Sequence, residues 1–161
     1  MLFRRKHNLG RNSHWHSPIR YERIAFQVRN FNTKHQECNT TLVAHSLGTA
    51  LATRWSQEAD TKAVAGALLV ATSDVDRFAG TPGNPMRGFD PIIMQRLPFP
   101  SVVLASRNDE RVAFERAEAF ASAWGSRLID VGALGHIGSA AKLDLWPHGL
   151  VWFGQFIASV G

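Results

Sequence analysis

The sequence predicts an α/β protein built on a parallel sheet with helices on both faces. Two observations predict this class. The apolar runs at residues 63–71 and 101–106 show no polar alternation, which is typical of parallel strands that are covered on both faces. Segments with helical periodicity follow the strand-like runs, and strands that alternate with helices indicate a parallel, doubly wound sheet.

From residue 42 onward the predicted elements follow one another in a regular order. Helix 112–124 is typical: its apolar residues recur at the spacing of one helix face, and Gly125 follows its last residue. A Gly- and Pro-rich loop covers residues 72–90, and a short helix is predicted between Pro91 and Pro98. The other elements are strands at 24–28, 42–45, 63–71, 101–106 and 127–131, and helices at 47–57 and 147–160.

Ser46 lies at the junction of the first strand and the first helix of this regular part. It is the centre of the pentapeptide Ala44-His45-Ser46-Leu47-Gly48. A serine between a strand and a helix, flanked by small residues two positions away, is the pattern of a nucleophile elbow, usually written G-x-S-x-G. Alanine in place of the first glycine adds only one methyl group. The other interpretation of Ser46 is a helix N-cap, a position that serine also favours.

Polar residues follow each predicted strand at the same edge of the sheet. In open parallel sheets, ligands bind at the carboxyl ends of the strands. The chain order of these residues is serine, acid and histidine, which is the order used by hydrolases with a nucleophile elbow. The residues are Ser46 after the first strand, Ser73, Asp74 and Asp76 after the second, Asn108, Asp109 and Glu110 after the third, and His136 after the fourth.

The predicted roles follow from the chemistry of these side chains. A histidine base activates the hydroxyl of Ser46, so His136 is the candidate base. Asp109 would hold the imidazole in the correct tautomer, and the backbone N–H of Leu47 would form part of an oxyanion hole.

Alternatives remain open for two of these residues. Asp109 could instead cap the helix near Val112, with Asp74 and Glu110 as the reserve acids, and His136 could be a surface turn residue.

Composition and charge divide the chain at about residue 40. Residues 1–40 carry eight Lys and Arg against two Glu, whereas the remaining residues carry ten basic and eleven acidic side chains. We therefore expect a basic N-terminal segment at 1–40 and a folded core at 41–161. The segment contains no nucleic-acid reader motif. With one cysteine, Cys38, no apolar run of membrane-spanning length and no secretory signal, the sequence predicts a cytoplasmic protein that binds neither membrane nor nucleic acid.

Five segments of the core carry a family pattern: LVAHSLGTA at 42–50, GALLVATSDVDRF at 66–78, LPFPSVVLASRNDE at 97–110, AWGSRLIDVGALGHIGSA at 123–140 and LDLWPHGL at 143–150. They resemble the small single-domain α/β-hydrolases of the YdeN and retinoblastoma-binding-protein-nine type. The resemblance implies an α/β-hydrolase-like sheet, Ser46, Asp109 and His136 as a catalytic triad, no metal and no organic cofactor. Glu110 stands where the family usually has proline, and Gly138 where asparagine is common.

The N-terminal segment departs from the family pattern. Family members open with an apolar strand and a glycine-containing turn, of which only residues 9–15 keep a trace, and nothing resembling the first strand precedes them. The family's second oxyanion donor comes from that turn, which corresponds to Gly10 or Arg11.

The sequence predicts a serine hydrolase that cleaves small carboxylic esters or amides through an acyl-enzyme on Ser46. The alternative is a catalytically weak or silent hydrolase-like binding module.

Overall fold

The structure is a computed structural model that describes residues 26–30, 39–84 and 86–161. The predictions for residues 1–23, including the second oxyanion donor at Gly10 or Arg11, lie outside the described residues. The described part contains five strands, three α-helices and two short 3₁₀ helices. In chain order these are β1 (Phe26–Asn30), β2 (Asn39–Ser46), α1 (Leu47–Glu58), β3 (Val64–Thr72), a 3₁₀ helix (Val75–Phe78), β4 (Ser101–Ala105), α2 (Phe114–Trp124), β5 (Arg127–Asp130), a 3₁₀ helix (Ser139–Ala141) and α3 (Pro147–Val160).

The five strands form one sheet in the order β1-β2-β3-β4-β5. Strands β2 to β5 are parallel, as predicted. Strand β1 pairs antiparallel with β2, with Phe26 opposite Val43. The sequence predicted a strand here, two residues earlier, but not its direction. Strand β2 begins at Asn39, so the sheet extends to residues before the predicted start of the core.

The central strands bury side chains on both faces, which explains their unbroken apolar sequences. Alternate residues of β3 and β4 enter two separate hydrophobic clusters. Helices α1 and α2 contribute to the first cluster, and α3 contributes to the second. The prediction of a parallel sheet with helices on both faces is therefore confirmed. The strand residues are Ala67, Leu69, Val103 and Ala105 on the α1 and α2 face, and Leu68, Val70, Val102 and Leu104 on the α3 face.

The long connection from β3 to β4 covers the same face as α1 and α2. Its buried side chains include Val75, Phe89 and Ile92. The helix predicted between Pro91 and Pro98 is wrong, because this segment bonds to the end of α2 instead of to itself. The indole N–H of Trp124 donates to the carbonyl of Ile93 (2.6 Å), and the Leu97 N–H donates to the carbonyl of Trp124 (3.0 Å).

Gly66 marks a close approach between β3 and α3. A Cβ at this position would lie 2.7 Å from Phe156 Cζ and 2.9 Å from the carbonyl oxygen of Pro100. We expect Gly66→Ala to lower the free energy of unfolding by about 1–3 kcal/mol, because the backbone and the buried ring must shift. Urea denaturation monitored by circular dichroism measures this change.

Gly154→Ala is the matched control for Gly66→Ala. Gly154 lies in α3, and a Cβ added there would meet nothing within 4 Å among the described residues. Alanine at this position is expected to stabilise the helix by about 0.5–1 kcal/mol. Equal unfolding midpoints for the two variants would contradict the close approach.

Candidate active site

The carboxyl ends of the parallel strands bring the candidate residues to one edge of the sheet. Ser46 ends β2, Ser73 follows β3, Asp109 lies in the loop after β4, and His136 lies in the loop after β5. The sheet therefore delivers a hydroxyl pair, a carboxylate and an imidazole to one place from four different strands.

Ser46 is held in a sharp turn between β2 and α1. Its backbone has φ 57° and ψ −126°, a positive φ that is uncommon for a residue with a side chain and that is often found at functional sites. The parallel register between β2 and β3 shifts at His45 and Ser46. The Ser46 side chain makes no capping hydrogen bond to α1, so the helix-cap interpretation is wrong. The hydroxyl is directed to other partners.

Ser46, His136 and Asp109 form a continuous hydrogen-bonded chain. The distance from His136 Nε2 to Ser46 Oγ is 2.7 Å, and His136 Nδ1 lies 2.9 Å from both carboxylate oxygens of Asp109. The side chain of Asp109 is 1% exposed and that of His136 is 16% exposed. A carboxylate accepts hydrogen bonds, so it places the proton on Nδ1 and leaves the Nε2 lone pair facing the hydroxyl of Ser46.

Neither of the reserve acids contacts His136. Asp74 forms a two-point ion pair with Arg116, at 3.0 and 3.1 Å, and this hydrogen bonding raises the pKa of Arg116. Glu110 has a 65% exposed side chain that lies 3.6 Å from Arg111.

Asp109 does not cap α2. Its Oδ1 accepts the backbone N–H of Arg111 at 2.8 Å, in the loop before the helix, whereas α2 starts at Phe114 without a side-chain cap. Of the three candidate acids, the structure brings only Asp109 to the imidazole.

His45 contacts the loop that carries His136, a role that its place in the sequence did not predict. Its Nε2 lies 2.9 Å from the carbonyl oxygen of His136 and donates to it. The two imidazole rings lie 5.0 Å apart, with an angle of 54° between their planes. The only signal in the sequence is the position of His45 next to Ser46, which places it at the same end of β2.

Ser73 is a second neighbour of the Ser46 hydroxyl. The two Oγ atoms lie 3.0 Å apart, and Ser73 is 1% exposed. Ser73 was predicted to lie at this edge of the sheet, but its contact with Ser46 depends on how β2 and β3 end beside each other. The Ser46 hydroxyl thus has two partners, and His136 is the basic one.

The loop after β5 begins with a charged contact. Asp130 Oδ1 accepts the N–H of Gly132 at 2.8 Å, and Arg107 Nε donates to Asp130 Oδ2 at 2.6 Å. The hydrogen bond from Arg107 lowers the pKa of Asp130, and the Gly132 N–H adds to this effect. Arg107 therefore links the loop after β4 to the end of β5.

A cavity of about 510 Å³ lies beside the imidazoles of His45 and His136. Leu134 and three alanines supply much of its lining, and Glu110 and Arg111 supply charge. Cavities of this size accommodate small organic molecules.

Metal-binding clusters and membrane-spanning helices are both absent from the described residues. These residues contain no cluster of three or more His, Cys, Asp or Glu side chains placed to hold a metal ion. In the same part of the chain, no helix has the length and apolar character needed to cross a membrane.

The chain matches the family model of serine hydrolases over residues 6–155. It is similar to the crystal structure of a YdeN-like hydrolase from Pectobacterium atrosepticum, with 33% identity and a TM-score of 0.64. That match covers 74% of this chain and 60% of the other, so the chain spans less than two thirds of the length of that relative. No curated protein matches the sequence.

A more distant likeness agrees in fold. The esterase RhEst1 from a Rhodococcus species is 15% identical, with a TM-score of 0.55, over 75% of this chain and 66% of the other. This likeness shows the α/β-hydrolase fold alone. The resemblance to YdeN-type α/β-hydrolases drawn from the sequence is confirmed by the family model and by the 33% identical structure. The chain belongs to the serine hydrolase family.

Proposed function

We propose that this protein hydrolyses small carboxylic esters or amides through an acyl-enzyme on Ser46. The observation that carries the proposal is the 2.7 Å contact between Ser46 Oγ and His136 Nε2, on an imidazole whose other nitrogen faces the buried carboxylate of Asp109. A serine hydroxyl is a weak nucleophile until a positioned base takes its proton. This contact places such a base within hydrogen-bond reach.

In the first half of the reaction, Ser46 Oγ attacks the substrate carbonyl carbon and its proton passes to His136 Nε2. Asp109 stabilises the imidazolium that forms. The carbonyl oxygen becomes an oxyanion, which the backbone N–H of Leu47 would bind. Leu47 is the first residue of α1, where backbone N–H groups have no partner within the helix and the helix dipole favours negative charge.

Three proton transfers complete the cycle. His136 returns its proton to the leaving alcohol or amine as the tetrahedral intermediate collapses, which leaves the acyl group on Ser46. Water then attacks the acyl-enzyme while His136 takes a proton from it. As the second tetrahedral intermediate collapses, the bond between the acyl carbon and Ser46 Oγ breaks and His136 Nε2 gives that proton to Ser46 Oγ, which releases the carboxylic acid and restores the serine hydroxyl. Each step of the cycle is carried out by groups of this chain and water.

The cavity beside His136 has a volume suited to a small molecule, and its lining residues include His136 but not Ser46. It adjoins the imidazole that must protonate the leaving group, and its volume is about 510 Å³. The relative that is 33% identical to this chain is described as a hydrolase.

A fluorophosphonate probe tests the proposal directly, because it reacts with activated serines and forms a stable phosphonyl ester. We expect the folded protein to be labelled with one phosphonyl group per chain and peptide mapping to place it on Ser46. Heat-denatured protein is the control and is expected to stay unlabelled, since the His136 contact is lost. An adduct on a different serine would overturn Ser46 as the nucleophile, and no adduct on folded protein would overturn the hydrolase proposal and favour the silent binding module.

A further inference from the structure

The acid and histidine loops are joined by a bridge of polar groups that the proposed mechanism does not use. We define the acid loop as residues 106–111 and the histidine loop as residues 131–138. Neither loop contains regular secondary structure. The bridge consists of Ser106 and Asn108, which lie just before Asp109.

Asn108 accepts two hydrogen bonds at one oxygen. Its Oδ1 accepts the Ser106 hydroxyl at 2.9 Å and the backbone N–H of Gly135 at 2.7 Å. Ser106 Oγ in turn accepts the backbone N–H of Leu134 at 2.8 Å. Because a backbone N–H can only donate, the carbonyl side of the Asn108 amide must face Gly135. Two consecutive N–H groups of the histidine loop are therefore held by two side chains of the acid loop.

The bridge joins the two residues that immediately precede Asp109 and His136, whose side chains must meet. Asn108 precedes Asp109, and Gly135 precedes His136, so the hydrogen bond between Asn108 and Gly135 sets the spacing of the two backbones. Gly135 has φ 56°, a conformation that glycine adopts without cost. With that spacing set, His136 Nδ1 reaches both carboxylate oxygens of Asp109 at 2.9 Å.

Burial differs between the two members of the bridge. Ser106 is 2% exposed, whereas Asn108 is exposed. Water can replace the amide oxygen of Asn108 as a hydrogen-bond acceptor, but it cannot hold the two loops at a set distance. The loss of Asn108 should therefore affect geometry more than stability.

We propose that Asn108, oriented by Ser106, is a positioning residue that holds the histidine loop so that His136 stays paired with Asp109. The expected loss of turnover rests on the proposed function, whereas the expected change at the His136 imidazole does not. Misplacement of a reacting group by about 1 Å can cost about a hundredfold in rate. We expect Asn108→Ala to lower kcat by about ten- to a hundredfold and to leave KM for a p-nitrophenyl ester nearly unchanged.

Asn108→Asp is the conservative variant, because it keeps an acceptor oxygen at the same position. We expect it to recover most of the kcat that Asn108→Ala loses. Asp60→Ala is the matched control. Like Asn108, Asp60 accepts a backbone N–H at its Oδ1, that of Lys62 at 3.2 Å, but it lies between α1 and β3, at the opposite edge of the sheet. It should retain wild-type kcat.

The decisive readout is the Nδ1–H proton of His136, observed by NMR in ¹⁵N-histidine-labelled full-length protein and identified by its loss in His136→Ala. We expect this proton to be protected from exchange in the wild type and in Asp60→Ala, and to be lost in folded Asn108→Ala. Should Asn108→Ala not fold, Ser106→Ala is measured instead, since it removes the acceptor of Leu134 N–H and the donor to Asn108.

The inference is overturned if the His136 Nδ1–H proton is unprotected in the wild type. It is also overturned if the protection of this proton and kcat are both unchanged in folded Asn108→Ala, or in Ser106→Ala where that variant replaces it. A wild type with a protected proton and no turnover would overturn the hydrolase proposal while still supporting the bridge.

Discussion

Ser46→Ala is expected to lower kcat for ester hydrolysis by about 10⁶-fold, because no other hydroxyl among the described residues contacts the imidazole base. The Ser46 hydroxyl is the group that His136 Nε2 contacts at 2.7 Å. The neighbouring Ser73 lies 3.0 Å from Ser46 Oγ and bonds to that hydroxyl instead of to the imidazole, so it cannot replace the nucleophile. Steady-state hydrolysis of p-nitrophenyl acetate measures the loss, with circular dichroism to verify folding.

Ser56→Ala provides the matched control for Ser46→Ala. Ser56 is also buried and lies in α1, where its hydroxyl bonds to the carbonyl of Thr53. It should keep wild-type turnover. Adding His136→Ala to Ser46→Ala should cost little more than Ser46→Ala alone, because residues that act as one unit lose their effect together. Turnover by Ser46→Ala within about tenfold of the wild type would exclude Ser46 as the nucleophile.

Asp109→Asn is expected to lower kcat by about 10⁴-fold with little change in fold. Asp109 Oδ1 accepts the N–H of Arg111, so the carbonyl oxygen of an asparagine would stay at that position. Its NH₂ group would then occupy the Oδ2 position and donate to His136 Nδ1. This forces the proton onto Nε2, where it blocks acceptance of the Ser46 proton. Steady-state hydrolysis of p-nitrophenyl acetate measures the change in kcat.

Asp60→Asn is the control for Asp109→Asn. Asp60 also uses Oδ1 to accept a backbone N–H two residues ahead, and asparagine can do the same. We expect its kcat to stay within about twofold of the wild type, as for most surface substitutions. If Asp109→Asn matched this control, Asp109 would not orient the imidazole, and an acid from residues outside the described part would have to be sought.

Much of the core architecture could be predicted from local sequence. The strands β3 and β4 are unbroken apolar runs because both faces of each strand are buried, and α3 begins at Pro147 as predicted because proline suits the first turn of a helix. The segment between Pro91 and Pro98 could not be predicted in this way. Its backbone groups bond to Trp124, which lies 27 or more residues away along the chain, and no local pattern records that contact.

The candidate site, like the fold, was predicted from the sequence only in part. The order serine, acid, histidine after successive parallel strands predicted that Ser46, Asp109 and His136 lie at one sheet edge, because all parallel strands end on the same side. Their role as a catalytic triad stays a prediction. The sequence left Asp74 and Glu110 open as acids, and only the folded chain pairs Asp74 with Arg116 and places the exposed Glu110 carboxylate beside Arg111.

The sequence by itself therefore determined which strands form the parallel sheet, which helices cover it and at which edge the polar residues gather. These features depend on which side chains are buried and on the direction in which the chain runs. The spacing of apolar residues records the burial, and the order of strands and helices along the chain records the direction. The tertiary structure alone decided the antiparallel direction of β1, the contact of His45 with the His136 carbonyl and the bridge from Ser106 and Asn108 to the histidine loop. Each of these depends on distances of a few ångströms between segments that are remote in sequence, and hydrogen-bond geometry at that scale is set only when the sheet has assembled.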